Sequence, residues 1–307
     1  MTAEADLLLD RRRLKRRLFF WRGVAALAVI ACAGLLIGRG AVPVGRHIAR
    51  LTVSGIITED RKLTERVAAL ATDSSVAALI VFVDSPGGSV AGGESLHGAI
   101  SRVAAAKPVV TVMGGTAASA GYMISVPAAR IFARQGTLTG SIGVLLETGE
   151  VSGLLTSLGI TAEAITSGPL KDQPSFTRPL TPQGREVLHG LVMDMYDQFI
   201  DIVATGRHMD PARVRALADG RAYTGRQALT LGLVDAIGGE ADARDWLAAE
   251  KGVPTTVRVV DLAAEGLISR TFGASFGGLL GDVIGETVKT VLAQGVKLDG
   301  AMALWQR

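Results

Sequence analysis

At 307 residues, 48% of them apolar, the chain has material for one large or two modest domains with a sizeable core. Its formal net charge of +3 misleads, because residues 1–22 hold seven Arg and Lys against three acids, which leaves the remainder close to neutral and without a nucleic-acid footprint. The single cysteine, Cys32, excludes a disulfide framework and a cysteine-rich zinc site, and leaves the redox compartment open.

The N-terminal stretch carries the first physical signal. Gly23 to Gly38 contains no charge, and Leu18 to Gly38 contains only Arg22, placed to snorkel beside Trp21. At helical rise this run is about enough to cross a ~30 Å hydrocarbon core. The basic cluster Arg11 to Arg17 precedes it, so the positive-inside rule sets the N-terminus in the cytoplasm. A cleaved signal peptide competes with this reading, but Gly38-Arg39-Gly40-Ala41 is a poor cleavage site. Val29-Ile30-Ala31-Cys32 loosely resembles a lipoprotein box, yet the apolar run continues through Leu35, Leu36 and Ile37. The expected organisation is a basic cytoplasmic tail over 1–22, a transmembrane signal anchor over 23–38, a catalytic-type domain over 39–262 and a glycine-rich amphipathic segment over 263–307.

Beyond the anchor, His47 to Ile57 alternates well enough for a first strand. Thr58 to Thr72 predicts an amphipathic helix with Leu63, Val67, Leu70 and Ala71 on one face. Val76 to Val83 is a nearly continuous apolar run, which suits a strand buried on both faces of a parallel sheet. It ends in Asp84-Ser85-Pro86-Gly87-Gly88-Ser89, and a helix-like stretch to Ala106 follows before a strand over Pro108 to Met113. Repeated strand-turn-helix units predict an α/β domain with its functional loops at the strand ends. Thr161 to Thr166 reads as strand-like, Thr181 to Arg207 as a long helix burying Val187, Leu191, Met195, Phe199 and Val203, Asp210-Pro211 to Ala218 as a shorter helix, and Thr255 to Leu262 as a late strand.

Two glycine-bearing turns carry the chemistry. Gly114-Gly115-Thr116-Ala117-Ala118-Ser119-Ala120-Gly121-Tyr122 mounts one hydroxyl, Ser119, where a strand gives way to a helix. Gly and Ala there also suit plain close packing, and no G-x-S-x-G elbow is present, since Ala117 stands where the first glycine would be. The amide of Gly88 (or Gly87) and that of Ala120 suit a two-donor oxyanion hole, although Pro-Gly-Gly on its own explains a turn. None of the four histidines, His47, His97, His189 and His208, falls in a glycine-bearing loop. Lys171 does, in Ser167-Gly168-Pro169-Leu170-Lys171-Asp172, and a lysine freed of its proton can serve as a base. An exposed loop lysine paired with Asp172 is the plainer reading of the same residues.

Five stretches in order then carry a likeness. Ser85 to Gly88, Ala117 to Tyr122, Thr139-Gly140-Ser141-Ile142-Gly143-Val144, Ser167 to Asp172, and Ala222-Tyr223-Thr224-Gly225-Arg226-Gln227-Ala228 with Gly232-Leu233-Val234-Asp235 resemble the motifs of the signal peptide peptidase A family, peptidase family S49. The likeness spans roughly residues 48–240 and the short, one-domain form. It implies a ClpP/crotonase-like α/β fold of stacked ββα units, with Ser119 as nucleophile and Lys171 as general base. It implies that Ser141 orients the lysine amine and that Gly88 and Ala120 supply the oxyanion amides, with no cofactor and no metal. It further implies a homo-oligomeric ring or dome at a bacterial inner membrane, its catalytic domain facing out of the cytoplasm and acting on signal peptides or other apolar peptides. Ala120 in place of glycine, and Pro169-Leu170 before the lysine, depart from the family pattern and bear on substrate preference. A non-catalytic membrane scaffold of the same fold and an acyl-CoA-binding crotonase-type enzyme are the alternatives.

Overall fold

The computed structural model describes residues 45–262, together with Trp21, Arg22, Val24, Ala25 and Leu27, which are helical. The expected anchor over 23–38 and the segment 263–307 therefore lie almost wholly outside the described residues. Among those described, no helix is long and apolar enough to cross a membrane.

Among the described residues, eight strands form one mixed sheet: β1 (His47–Ile57), β2 (Val76–Gly88), β3 (Val109–Ala118), β4 (Arg130–Ala133), β5 (Leu138–Gly140), β6 (Ala222–Thr224), β7 (Ala236–Ile237) and β8 (Val259–Asp261). The order is β6-β5-β3-β2-β1-β8, every pairing parallel except β5 with β6. The sheet forks at β3. Val110 to Val112 pair with β4, which passes on to β7, whereas Thr116 to Ala118 pair with β5. Helices α1 (Arg61–Ala69), α2 (Val90–Ala106), α3 (Ala120–Ser125), α4 (Ser152–Ser157), α5 (Pro182–Arg207), α6 (Pro211–Leu217), α7 (Gly225–Leu231) and α8 (Glu240–Lys251) connect and cover it.

The central strands are buried on both faces, which is why β2 reads as an unbroken apolar run. Leu79, Val81 and Val83 join a main core with Leu96 and Ile100 of α2, Tyr122 of α3 and Phe199 of α5, while Ala78 and Ile80 join a second core closed by Ala243 and Leu247 of α8. The caps follow the sequence. Asp60 accepts from the Leu63 amide and starts α1 at Arg61, three residues after the expected Thr58, and Thr181 and Asp210 cap the proline-led starts of α5 and α6.

Two expectations are corrected. Residues 161–166 form no strand: they are exposed and pair with nothing in the sheet, so the alternation there had no ladder to join. Helix α5 buries Phe199, Ile200 and Val203 in its second half, but Val187 is 45% and Leu191 53% exposed in its first. Its apolar stripe runs past the part of the domain that covers it.

Candidate active site

Strand β3 does not run straight into its helix. The β2–β3 register passes from Val83↔Met113 to Ser85↔Ala117, so two extra residues bulge from β3 opposite Asp84. The Asp84 carboxylate accepts the Thr116 amide at 3.0 Å, and a β-carbon on Gly114 would stand 3.0 Å from the Asp84 Cβ, so the bulge is fitted to that side chain. Five residues after the bulge starts comes Ser119, at φ 54° and ψ −122°. Left-handed φ in a non-glycine residue is strained and persists only where the surroundings impose it. Here the Ser119 amide donates to the Gly140 carbonyl at 2.8 Å, and its own carbonyl accepts from Met123 at 2.9 Å.

Ser119 caps α3 in position only. Ser89, the N-cap of α2, has extended backbone and accepts the Gly92 amide on its hydroxyl at 3.2 Å, as an N-cap serine ordinarily does. The turned backbone of Ser119 makes no such bond, which leaves a half-buried hydroxyl uncommitted.

The second turn meets it. Gly87 has φ +120°, and a β-carbon there would lie 2.7 Å from the Ser119 Cβ. The Gly87 amide donates to the Ser85 hydroxyl at 3.1 Å and is occupied. Ser89 donates to the Ile57 carbonyl at 2.9 Å, toward β1. Gly88, between them, pairs with Ile57 in the β1–β2 ladder. Of the two glycines read from the sequence, Gly87 is the one whose amide is already taken. The Ala120 amide, first in α3, has no acceptor within its helix.

Ser141 follows the end of β5. The pairing Ala118↔Gly140 sets Ser119 and Ser141 at neighbouring positions. Ser141 has φ 47°, its amide donates to the Arg221 carbonyl at 2.9 Å, and its hydroxyl makes no hydrogen bond among the described residues.

Lys171 is bonded to neither serine among the described residues. It lies on an arm, residues 144–181, that contributes no strand to the sheet; it is exposed, and its side chain makes no hydrogen bond or ion pair among the described residues. Asp172 pairs with Arg178, so the plainer reading of a Lys171–Asp172 pair does not hold either. Within one copy nothing joins Lys171 to Ser119 or Ser141. The arm carries large apolar side chains outward: Ile165 is 97%, Leu145 76%, Phe176 70% and Leu158 64% exposed. A cleft of about 740 Å³ lined by Leu146, Glu147, Thr148, Gly149, Pro174 and Phe176 lies on this arm rather than at the serine.

The remaining motif residues brace the site. The Tyr122 hydroxyl, fully buried behind Ser119, donates to the Leu233 carbonyl at 2.8 Å, and burial pushes its pKa up. Asp235 accepts the Ile131 amide at 2.8 Å and pairs with Arg207. Asp84 was missed as a site residue in the sequence, where it reads only as the last residue before a turn. No histidine is bonded to Ser119 among the described residues.

The profile of Peptidase family S49 matches residues 101–254. A putative protease of Synechocystis sp. is 39% identical over 209 residues, which cover 68% of this chain and 76% of that protein. A putative signal peptide peptidase SppA of Enterococcus faecium is 36% identical over 220 residues, 67% of this chain and 64% of its own, so the match spans just under two thirds of that relative. Among solved structures, a membrane-bound stomatin-specific protease superposes with a TM-score of 0.49 at 16% identity, covering 72% of this chain and 99% of that one. The extent of the profile match and of the Synechocystis likeness decides the family: this chain belongs to the serine peptidases of family S49.

Proposed function

We propose that the chain is a membrane-anchored endopeptidase of ClpP/crotonase-like fold that hydrolyses signal peptides and other apolar peptides with Ser119 as nucleophile and Lys171 as general base. The observation that carries the reading is the conformation of Ser119, a strained strand-to-helix turn that withholds its hydroxyl from capping and sets it against Gly87.

Neutral Lys171 takes the proton of Ser119 as Oγ attacks the peptide carbonyl. The amides of Gly88 and Ala120 hold the oxyanion, and the lysine returns the proton to the leaving amine. Water then repeats the sequence on the ester, and Ser141 keeps the amine in line. Within one copy no hydrogen bond joins Lys171 to Ser119 or Ser141, and the reading includes a homo-oligomeric ring or dome in which the arm of one copy reaches the serine of the next. The exposed Leu145, Leu158, Ile165 and Phe176 support this, because an apolar surface of that kind marks a contact. An anchor over 23–38 would hold the assembly at the inner membrane with its sites outside the cytoplasm, where apolar peptides released into the bilayer are within reach.

The test is hydrolysis of an apolar signal-peptide substrate by the full chain. Ser119→Ala and Lys171→Ala should each lower kcat by about 10³-fold or more. Mixing the two inactive chains and letting them reassemble should restore part of the activity. Cleavage that survives either change would remove the dyad, and failure of the mixture to recover, with assembly intact, would return both residues to one copy.

A further inference from the structure

Asp84 and Ser85 are adjacent on β2, and their side chains leave opposite faces of the strand. The carboxylate of Asp84 grips the Thr116 amide in the bulge of β3, the stretch that ends in Ser119. The hydroxyl of Ser85, fully buried, donates to the Gly55 carbonyl at 2.6 Å and accepts the Gly87 amide at 3.1 Å. It thereby ties the turn that ends in Gly88 to β1. One dipeptide holds the nucleophile's strand with one side chain and the oxyanion turn with the other.

We propose that Asp84 and Ser85 are a pair of positioning residues that set the spacing between the Ser119 hydroxyl and the Gly88 amide. The inference rests on the reading of Ser119 as nucleophile and Gly88 as oxyanion donor. Without the Ser85 hydroxyl the Gly87 amide loses its acceptor and the Gly87 carbonyl loses the donor that stands 3.3 Å away, so the peptide units on both sides of Gly87 are held less firmly. Glycines supply no side chain to resist rotation there. An oxyanion donor acts only when it is aimed at the charge that develops, so its loss is felt in the transition state and not in substrate binding. Removing the Asp84 carboxylate frees the bulge and shifts the serine instead. Asparagine keeps an oxygen for the Thr116 amide; alanine does not.

The experiment compares the full-length chain with Ser85→Ala, Asp84→Ala and Asp84→Asn, with rates expressed per active site by titration. Expected are a fall in kcat of about tenfold to a hundredfold for Ser85→Ala and Asp84→Ala with KM within about threefold, and a parallel loss of affinity for a peptide boronate, whose tetrahedral adduct uses the hole. Asp84→Asn should recover most of the Asp84→Ala loss. Unchanged kcat per site and unchanged boronate affinity in both alanine variants, with only thermal stability lowered, would overturn the proposal and leave two packing residues. If Ser85→Ala does not fold, the Asp84→Ala and Asp84→Asn pair decides by the same readouts. Ser119→Ala runs alongside: full activity there would sink the nucleophile reading itself, a result distinct from failure of the pair.

Discussion

Gly87 and Ser119 face each other with no room for a side chain between them: a β-carbon added to Gly87 would stand 2.7 Å from the serine Cβ, 3.1 Å from its Oγ and 3.2 Å from the Ala118 carbonyl oxygen. The glycine also has φ +120°, where an L-side chain is strained regardless of room. Gly87→Ala should therefore push the oxyanion turn off the serine and lower kcat/KM by about 10²-fold or more. Steady-state kinetics with circular dichroism on the same samples checks it; near wild-type kinetics would show that the two turns move independently.

The role proposed for Lys171 gives the reaction a direction in pH. The base works only as the free amine, so kcat/KM should rise toward alkaline pH. A rate profile on the assembled enzyme measures it. An acidic optimum with Lys171 intact would contradict its role as base.

Tyr122 is wholly buried, and its hydroxyl satisfies the Leu233 carbonyl at 2.8 Å. Tyr122→Phe keeps the ring but leaves that carbonyl without its partner, at a cost of about 1–3 kcal/mol. Thermal denaturation should show a lower Tm, while kcat per folded site stays within about threefold. A large kcat loss at unchanged Tm would move Tyr122 from bracing to chemistry.

His97, half-buried on α2, is held below the ordinary histidine range by burial of its ring. The unfolded chain then takes up the proton first as the pH falls. The stability due to the neutral ring is complete above the unfolded value of about 6.5 and is lost as the pH drops through it toward the folded value. The urea midpoint should be lower at pH 5.5 than at pH 7.5, and His97→Gln should flatten that difference. An equal slope in both proteins would place the acid sensitivity elsewhere.

The parts of the fold legible in the sequence are those decided locally or by burial on both sides. β1 runs over the very residues whose alternation predicts it, and the apolar run from Val76 lies inside β2. The first half of α5 and the arm were not legible in this way. Periodicity shows that Val187 and Leu191 share a stripe, but not whether anything covers it. β4 and β7 escaped notice because strands of four and two residues carry almost no pattern of their own and form only where β3 offers them an edge. At the site, Ser119, Ser141 and the glycine turns come from motif and turn chemistry, and the structure brings those three together. Lys171 is not brought to them in one copy, and the role of Asp84 depends on a bulge whose existence only the strand register reveals.

The fork at β3 has a mechanical consequence. Because β4 takes the first part of that edge and β5 the second, the amide of Ser119 finds its acceptor on Gly140, at the end of a strand clamped on its far side by β6. The left-handed backbone of the serine is thus loaded by the sheet and not by the peptide it would cut. In the reaction proposed for Ser119, a backbone held in that way would keep the hydroxyl in place from one turnover to the next.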